Sequence, residues 1–151
     1  MIDELWIEVK NSDHRALGIY LRHYSARKNG ATVKGNKNYE RFCSPGETMV
    51  LLTPLCTALF VWNKQQYRLD GQQGVNCAVF RNESAALSSS LILDAEAMAY
   101  RRWPGSRFFT YVDASKIKSS NPGYCFLKAG WRRAGISKKK HLILLVKEII
   151  L

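Results

Sequence analysis

The sequence predicts a single α/β domain. Its 151 residues are 46% apolar, which suffices for one core covering roughly 70% of the unfolded surface. Short β-favouring runs alternate with segments of helical spacing in the order β-α-β-β-β-α-β-α-β-β, and no repeat or interdomain linker interrupts them.

The first run alternates Leu5, Ile7 and Val9 with Trp6, Glu8 and Lys10, the period of a strand buried on one face, with the aliphatic set inward. Asp13 then offers an N-cap, and Leu17, Tyr20, Leu21 and Tyr24 recur at helical intervals, so a helix is expected over 13–25. A polar loop with Gly30 and Gly35 follows, to Glu40. Met49 to Thr53 and Thr57 to Asn63 read as adjacent strands parted by Pro54, and Val75 to Phe80 as a third. From Ser88 the period changes. Leu91, Ile92, Ala95, Met98 and Ala99 share one helical face, Ser88, Ser89 and Ser90 are candidate caps, and Pro104-Gly105 ends the segment. Phe108 to Val112 is a strand by composition. Pro122 is placed as a first helical residue and Gly130 as a left-handed helix end. Arg132 to Ile136 and His141 to Ile150 close the chain as a hairpin.

Charge is placed unevenly. Between Arg101 and Lys140 lie eleven Lys or Arg and one acid, Asp113, so nearly all of the formal net charge of +11 falls there. Such a segment meets phosphates, and its Trp103, Phe108, Phe109 and Tyr111 add stacking faces suited to a nucleic acid. The nucleic-acid candidates are Arg101, Arg102, Lys116, Lys118, Arg132, Arg133, Lys138, Lys139 and Lys140. The four cysteines have no CxxC pairing and the three histidines no ligand spacing, so no metal site is expected. An acidic N-terminus and the lack of a long apolar run point to a cytoplasmic protein with free thiols and no membrane contact.

The segment Val75 to Trp131, a strand, a loop into a long helix, a strand and a short helix ending in Gly130-Trp131, resembles the GNAT acetyltransferase superfamily. The resemblance implies a mixed, mainly antiparallel sheet flanked by helices, a central strand that opens for the pantetheine arm of acetyl-CoA, and a following loop that cradles its pyrophosphate. Unpaired amides at a helix start suit that task. The matching loop here is Arg81-Asn82-Glu83-Ser84-Ala85-Ala86, with Ser84 in place of the first glycine. Arg81, Ser84, Ser88, Ser89 and Asn121 are therefore the cofactor candidates. The superfamily's general-acid tyrosine falls on Phe126, which has no proton to give, and Tyr124 lies about 200° away round the helix.

A narrower resemblance rests on His23-Tyr24-Ser25, Phe80-Arg81-Asn82-Glu83 and Ser120-Asn121-Pro122-Gly123-Tyr124-Cys125-Phe126, which are similar to segments of the phage and prophage Mom-type DNA modification group. It implies transfer, dependent on acetyl-CoA, of a carbamoylmethyl group to the exocyclic amine of adenine, which protects DNA from restriction, with Tyr24, Asp113 and Tyr124 serving the chemistry. Reaching that amine in a duplex requires the base to be extruded. Two other readings compete: an ordinary N-acetyltransferase acting on a protein or small amine, and a catalytically inactive module that binds nucleic acid, which Ser84 and Phe126 favour.

Overall fold

The computed structural model describes residues 6–23, 46–65, 68, 70–117, 121–137 and 141–148. Tyr24, Cys43, Lys118, Lys138, Lys139, Lys140 and the expected loop to Glu40 lie outside the described residues. The elements run β1 (Ile7–Val9), α1 (His14–Leu21), β2 (Glu47–Leu52), β3 (Ala58–Lys64), β4 (Val75–Asn82), α2 (Ser88–Arg102), β5 (Phe108–Val112), α3 (Tyr124–Lys128), β6 (Arg132–Ile136) and β7 (Ile143–Lys147), with a 3-10 turn at Ala114–Lys116. The strands form one seven-stranded sheet in the order β1-β2-β3-β4-β5-β7-β6. Every pairing is antiparallel except β4 with β5. The fold is thus the mixed, mainly antiparallel α+β architecture expected.

Helices cover both faces. On one, Leu91, Ile92, Ala95 and Ala99 of α2 and Phe126 of α3 pack on Phe60, Trp62, Val75, Cys77 and Phe108. On the other, Ala16, Ile19 and Tyr20 of α1 pack on Val50, Leu59, Val61 and Val79. None of the described helices is long and apolar enough to cross a membrane.

Four local expectations need correcting. In β1 the inward residue is Trp6, 6% exposed, whose Nε1 donates to the Leu91 carbonyl at 2.8 Å, whereas Ile7 is half exposed. The large indole reaches under α2, and of the aliphatic set only Val9 packs on the α1-side core. Helix α1 starts after the expected Asp13 cap, whose carboxylate accepts from the Arg15 and Ala16 amides, but stops at Leu21. Helix α2 is not capped by serine: its N-cap is Leu87, and Ser88 Oγ instead accepts from Asn82 Nδ2 at 3.0 Å. Helix α3 begins at Tyr124 and not at Pro122. The Tyr124 amide donates to the Asn121 carbonyl at 3.1 Å, and Gly123 has φ 79°, so Pro122 and Gly123 are the middle of a type II turn that feeds the helix.

The device that shapes the site is a bulge in β4. Val61 faces Val79 and Trp62 faces Cys77, so Ala78 has no partner on β3. An extra residue inverts the alternation after it. Val75, Cys77 and Phe80 therefore point to the α2 side and Val79 to the α1 side. β4 and β5 pair only from Val75–Phe108 to Cys77–Thr110. Beyond the bulge β4 continues beside β3 to Asn82 while β5 stays with β7 to Val112, and the two central strands part.

Candidate active site

The gap between the parted strands is a cleft of about 680 Å³. Its walls carry residues from both faces of the sheet: Cys77, Phe80, Val112 and Phe126 belong to the α2 side, and His23 and Val79 to the α1 side. It is a slot through the sheet, with a mouth on each face. Asp113, Lys116, Asn121 and Tyr124 also line it.

Asp113 follows β5, as expected, and its Oδ1 accepts from the Ser115 amide at 3.0 Å and the Ser115 hydroxyl at 2.6 Å. The hydroxyl hydrogen bond is the largest cause holding this carboxyl below the usual carboxylate range. It is an anion that can orient an amine. Tyr124, first residue of α3, is 53% exposed at the rim. Asn121 Oδ1 accepts from Arg133 at 2.7 Å, which draws one exposed guanidinium of β6 to the cleft.

Sequence reasoning gave no role to His23 or Asn76 and took Tyr111 only as a stacking face. His23 is 7% exposed and lines the cleft just past α1. Burial is the main cause pushing its pKa down to about 4, the nearby Arg81 charge adds to it, and a hydrogen bond to the Phe80 backbone opposes both. The imidazole is neutral at pH 7. The Tyr111 hydroxyl donates to Asp70 Oδ2 at 3.0 Å, and burial raises its pKa. Asn76 carried the one visible sequence signal, a carboxamide inside an otherwise apolar strand where asparagine is disfavoured.

Beyond the open end of β4 lies the loop expected to hold phosphates. Arg81 is engaged there by Glu83 at 2.7 Å, and Arg22 holds the same carboxylate at 2.6 and 2.7 Å. These arginines hold the Glu83 pKa at about 2. Asn82 Oδ1 accepts from the Ser84 amide at 2.9 Å and its hydroxyl at 2.5 Å, and Ser84 Oγ accepts from the Ala86 amide at 3.1 Å. Arg81 and Ser84 are therefore spent within the loop and do not reach out as expected. The amides of Ala85, Leu87, Ser88 and Ser89 have no acceptor among the described residues and leave an anion-binding edge at the start of α2.

Among the described residues the basic side chains do not form one face. Arg101 and Arg102 end α2, about 20 Å along the helix from Ser88, and Arg102 is paired with Glu8 at 2.7 Å. Arg132 pairs with Glu148 at 3.5 Å. Of the expected nucleic-acid set, Lys116 lines the cleft and Arg133 reaches it through Asn121. Phe126 is core, edge-on to Trp131 with ring centres 4.9 Å apart.

No protein-family model matches the chain, and no curated protein matches it. Among solved structures, a chain described as a GnaT-family acetyltransferase from Bordetella pertussis matches with a TM-score of 0.46 and 12% identity. The match covers 66% of this chain and 63% of that one.

Proposed function

We propose that this chain is an acyl-CoA-dependent transferase of GNAT type whose acceptor is the exocyclic amine of adenine in phage or prophage DNA, the modification serving to evade restriction. The observation that carries the reading is the slot itself: a cleft through the sheet whose β4 wall leads to four unpartnered amides at a helix start. That combination suits a long ligand with an anionic end and an extended arm. The Mom-type resemblance supplies the adenine; with acetyl-CoA as donor the balanced step joins the amine nitrogen to the thioester carbonyl carbon and releases the thiol, which gives an acetylated amine.

When bound, acetyl-CoA supplies an activated thioester. The chain's own residues would do the rest. The amides of Ala85, Leu87, Ser88 and Ser89 take the pyrophosphate charge. Ionised Asp113 orients the acceptor amine and accepts its proton. Tyr124 holds a proton at the rim for the leaving thiol. Lys116 and Arg133 neutralise phosphates of a strand laid across the mouth, from which the base is turned in.

A second reading has its own observation: Phe126 presents to the cleft a ring with no proton to give, and two loop amides are taken by Asn82 and Ser84, as an inactive module would tolerate. Nucleoside mass spectrometry of DNA from cells expressing the chain separates the two. A mass-shifted deoxyadenosine that disappears with Asp113→Ala supports the transferase. Unmodified DNA beside protein whose Tm is raised by acetyl-CoA moves the acceptor to a protein or small amine. No Tm shift with acetyl-CoA leaves the inactive module.

A further inference from the structure

Two buried side-chain polar atoms lack a hydrogen-bond partner among the described residues: Asn76 Oδ1 and Trp103 Nε1. The indole stands at the far end of α2, but Asn76 lines the cleft. Its neighbours Val75 and Cys77 face the α2-side core, and its partner in register on β5 is Phe109, buried against Leu144 and Val146 on the other face. Asn76 thus points to the α1 side, the mouth left open if the cofactor enters beside α2. A buried carbonyl oxygen without a donor costs stability and is retained where a ligand completes it.

We infer that Asn76 reads the acceptor base. A carboxamide presents one acceptor and one donor side by side. It pairs bidentately with an edge that offers an exocyclic amine beside an unprotonated ring nitrogen. Adenine has that edge at N6 and N7, and cytosine at N4 and N3. Guanine shows two acceptors on its N7 edge and two donors on its N1 edge, and offers an amine beside a bare ring nitrogen only at N2 and N3, next to its own sugar, where a base turned into a slot is least accessible; thymine has no amine. Oδ1 takes one amine hydrogen, which fixes the nitrogen at the floor of the slot and leaves its other hydrogen toward the α2 side. Asn76 positions the substrate and makes no bond to it. The inference rests on the DNA-base reading above and adds the residue that selects the base.

The test uses the full chain with acetyl-CoA and single-stranded oligodeoxynucleotides differing at one central base: adenine, cytosine, guanine or unsubstituted purine, which lacks the amine. Binding is read by fluorescence anisotropy, beside nucleoside mass spectrometry. The adenine strand should bind about tenfold or more tighter than the purine and guanine strands. A cytosine preference would support the same edge and name the other base. Asn76→Ala should equalise the four, keep the Tm shift given by acetyl-CoA, and melt no lower than wild type without ligand, because no hydrogen bond is lost. Asn76→Asp, which keeps the acceptor but loses the donor, should also lose the adenine preference. Retained discrimination in Asn76→Ala, with DNA still modified, would overturn the role of Asn76 and leave the transferase standing. Failure of every oligonucleotide to bind would overturn both.

Discussion

Because His23 is buried at the cleft, its ionisation should be visible in the stability of the whole protein. The imidazole pKa lies at about 4 in the fold against an ordinary 6.5, chiefly because burial penalises the charged form. The folded state therefore binds fewer protons than the unfolded chain between those values, and stability is lost as pH falls through that window. The gap corresponds to about 3 kcal/mol once both limits are passed. Carboxylates act lower down: Asp70 and Glu83 are each held at about 2 by arginine hydrogen bonds, so their contributions are lost mainly below pH 4.5. The interval from 6.5 to 4.5 isolates the histidine. Urea unfolding of wild type and His23→Gln at half-unit pH steps gives the two slopes, and the slopes matter more than the absolute stabilities because glutamine changes the contact with Phe80. Wild type should weaken progressively across the interval while the variant stays nearly flat. Parallel slopes would refute the assignment of a neutral, buried imidazole.

Three further perturbations probe the frame and the loop. Glu96, 5% exposed, joins Lys147 at 2.7 Å and accepts from Trp131 Nε1 at 3.0 Å, so Glu96→Ala leaves the half-buried ammonium with the Ala129 carbonyl alone and the indole without its acceptor, and should cost about 1–3 kcal/mol in denaturant unfolding; no loss would show that water replaces the carboxylate at both groups. Gly123→Ala places a Cβ 2.7 Å from Leu145 Cδ1 at φ 79° and should cost more than about 1 kcal/mol, with a lowered Tm as the readout; an unchanged Tm would mean that the turn relaxes freely. Glu83→Ala frees Arg81 and Arg22 beside the unpartnered amides and should enlarge the Tm shift produced by acetyl-CoA, an effect that added salt reduces; an equal or smaller shift would place Arg81 away from the phosphates.

What the sequence revealed depended on the range of the interaction involved. The order of elements along the chain, the α2 stripe from Leu91 to Ala99 and the Gly130 helix end were legible because each follows from local period or backbone freedom. The caps were misjudged because two groups compete for one serine: Ser88 Oγ is taken by Asn82, six residues earlier, and Leu87 takes the cap position. Trp6 was assigned outward because alternation alone cannot say which of two covered faces gains more, and burying an indole under α2 outweighs burying Ile7. Charge was the most misleading signal. A segment rich in Arg and Lys is continuous in sequence, yet α2 and the strands carry its members to opposite ends of the sheet, and acids from elsewhere, Glu8 and Glu148, neutralise some of them. The positions of Asp113 and Tyr124, at the end of β5 and the start of α3, were legible because both follow from local punctuation.

The residues that sequence reasoning missed share one cause, the bulge at Ala78. An uninterrupted β4 would keep its ladder to β5 and continue its alternation, and Val79 would then face the α2 side with Val75 and Cys77. The extra residue sends Val79 to the α1-side core and returns Phe80 to the α2 side, so both cores are filled only if the strand is bulged. Packing on both faces therefore enforces the departure of β4 from β5, and the slot is a consequence of the core and not a defect beside it. It also gives the slot two unlike mouths. The α2 side carries Phe80, Cys125 and Phe126, with the Tyr124 phenol at the rim and the Thr110 hydroxyl spent on the Cys77 carbonyl, whereas the α1 side presents a neutral imidazole, the Asn76 carboxamide and a phenol tied to Asp70. The transferase proposed above would use this difference by bringing the acyl group from the side of Phe80 and Phe126 and the acceptor from the side of His23 and Asn76.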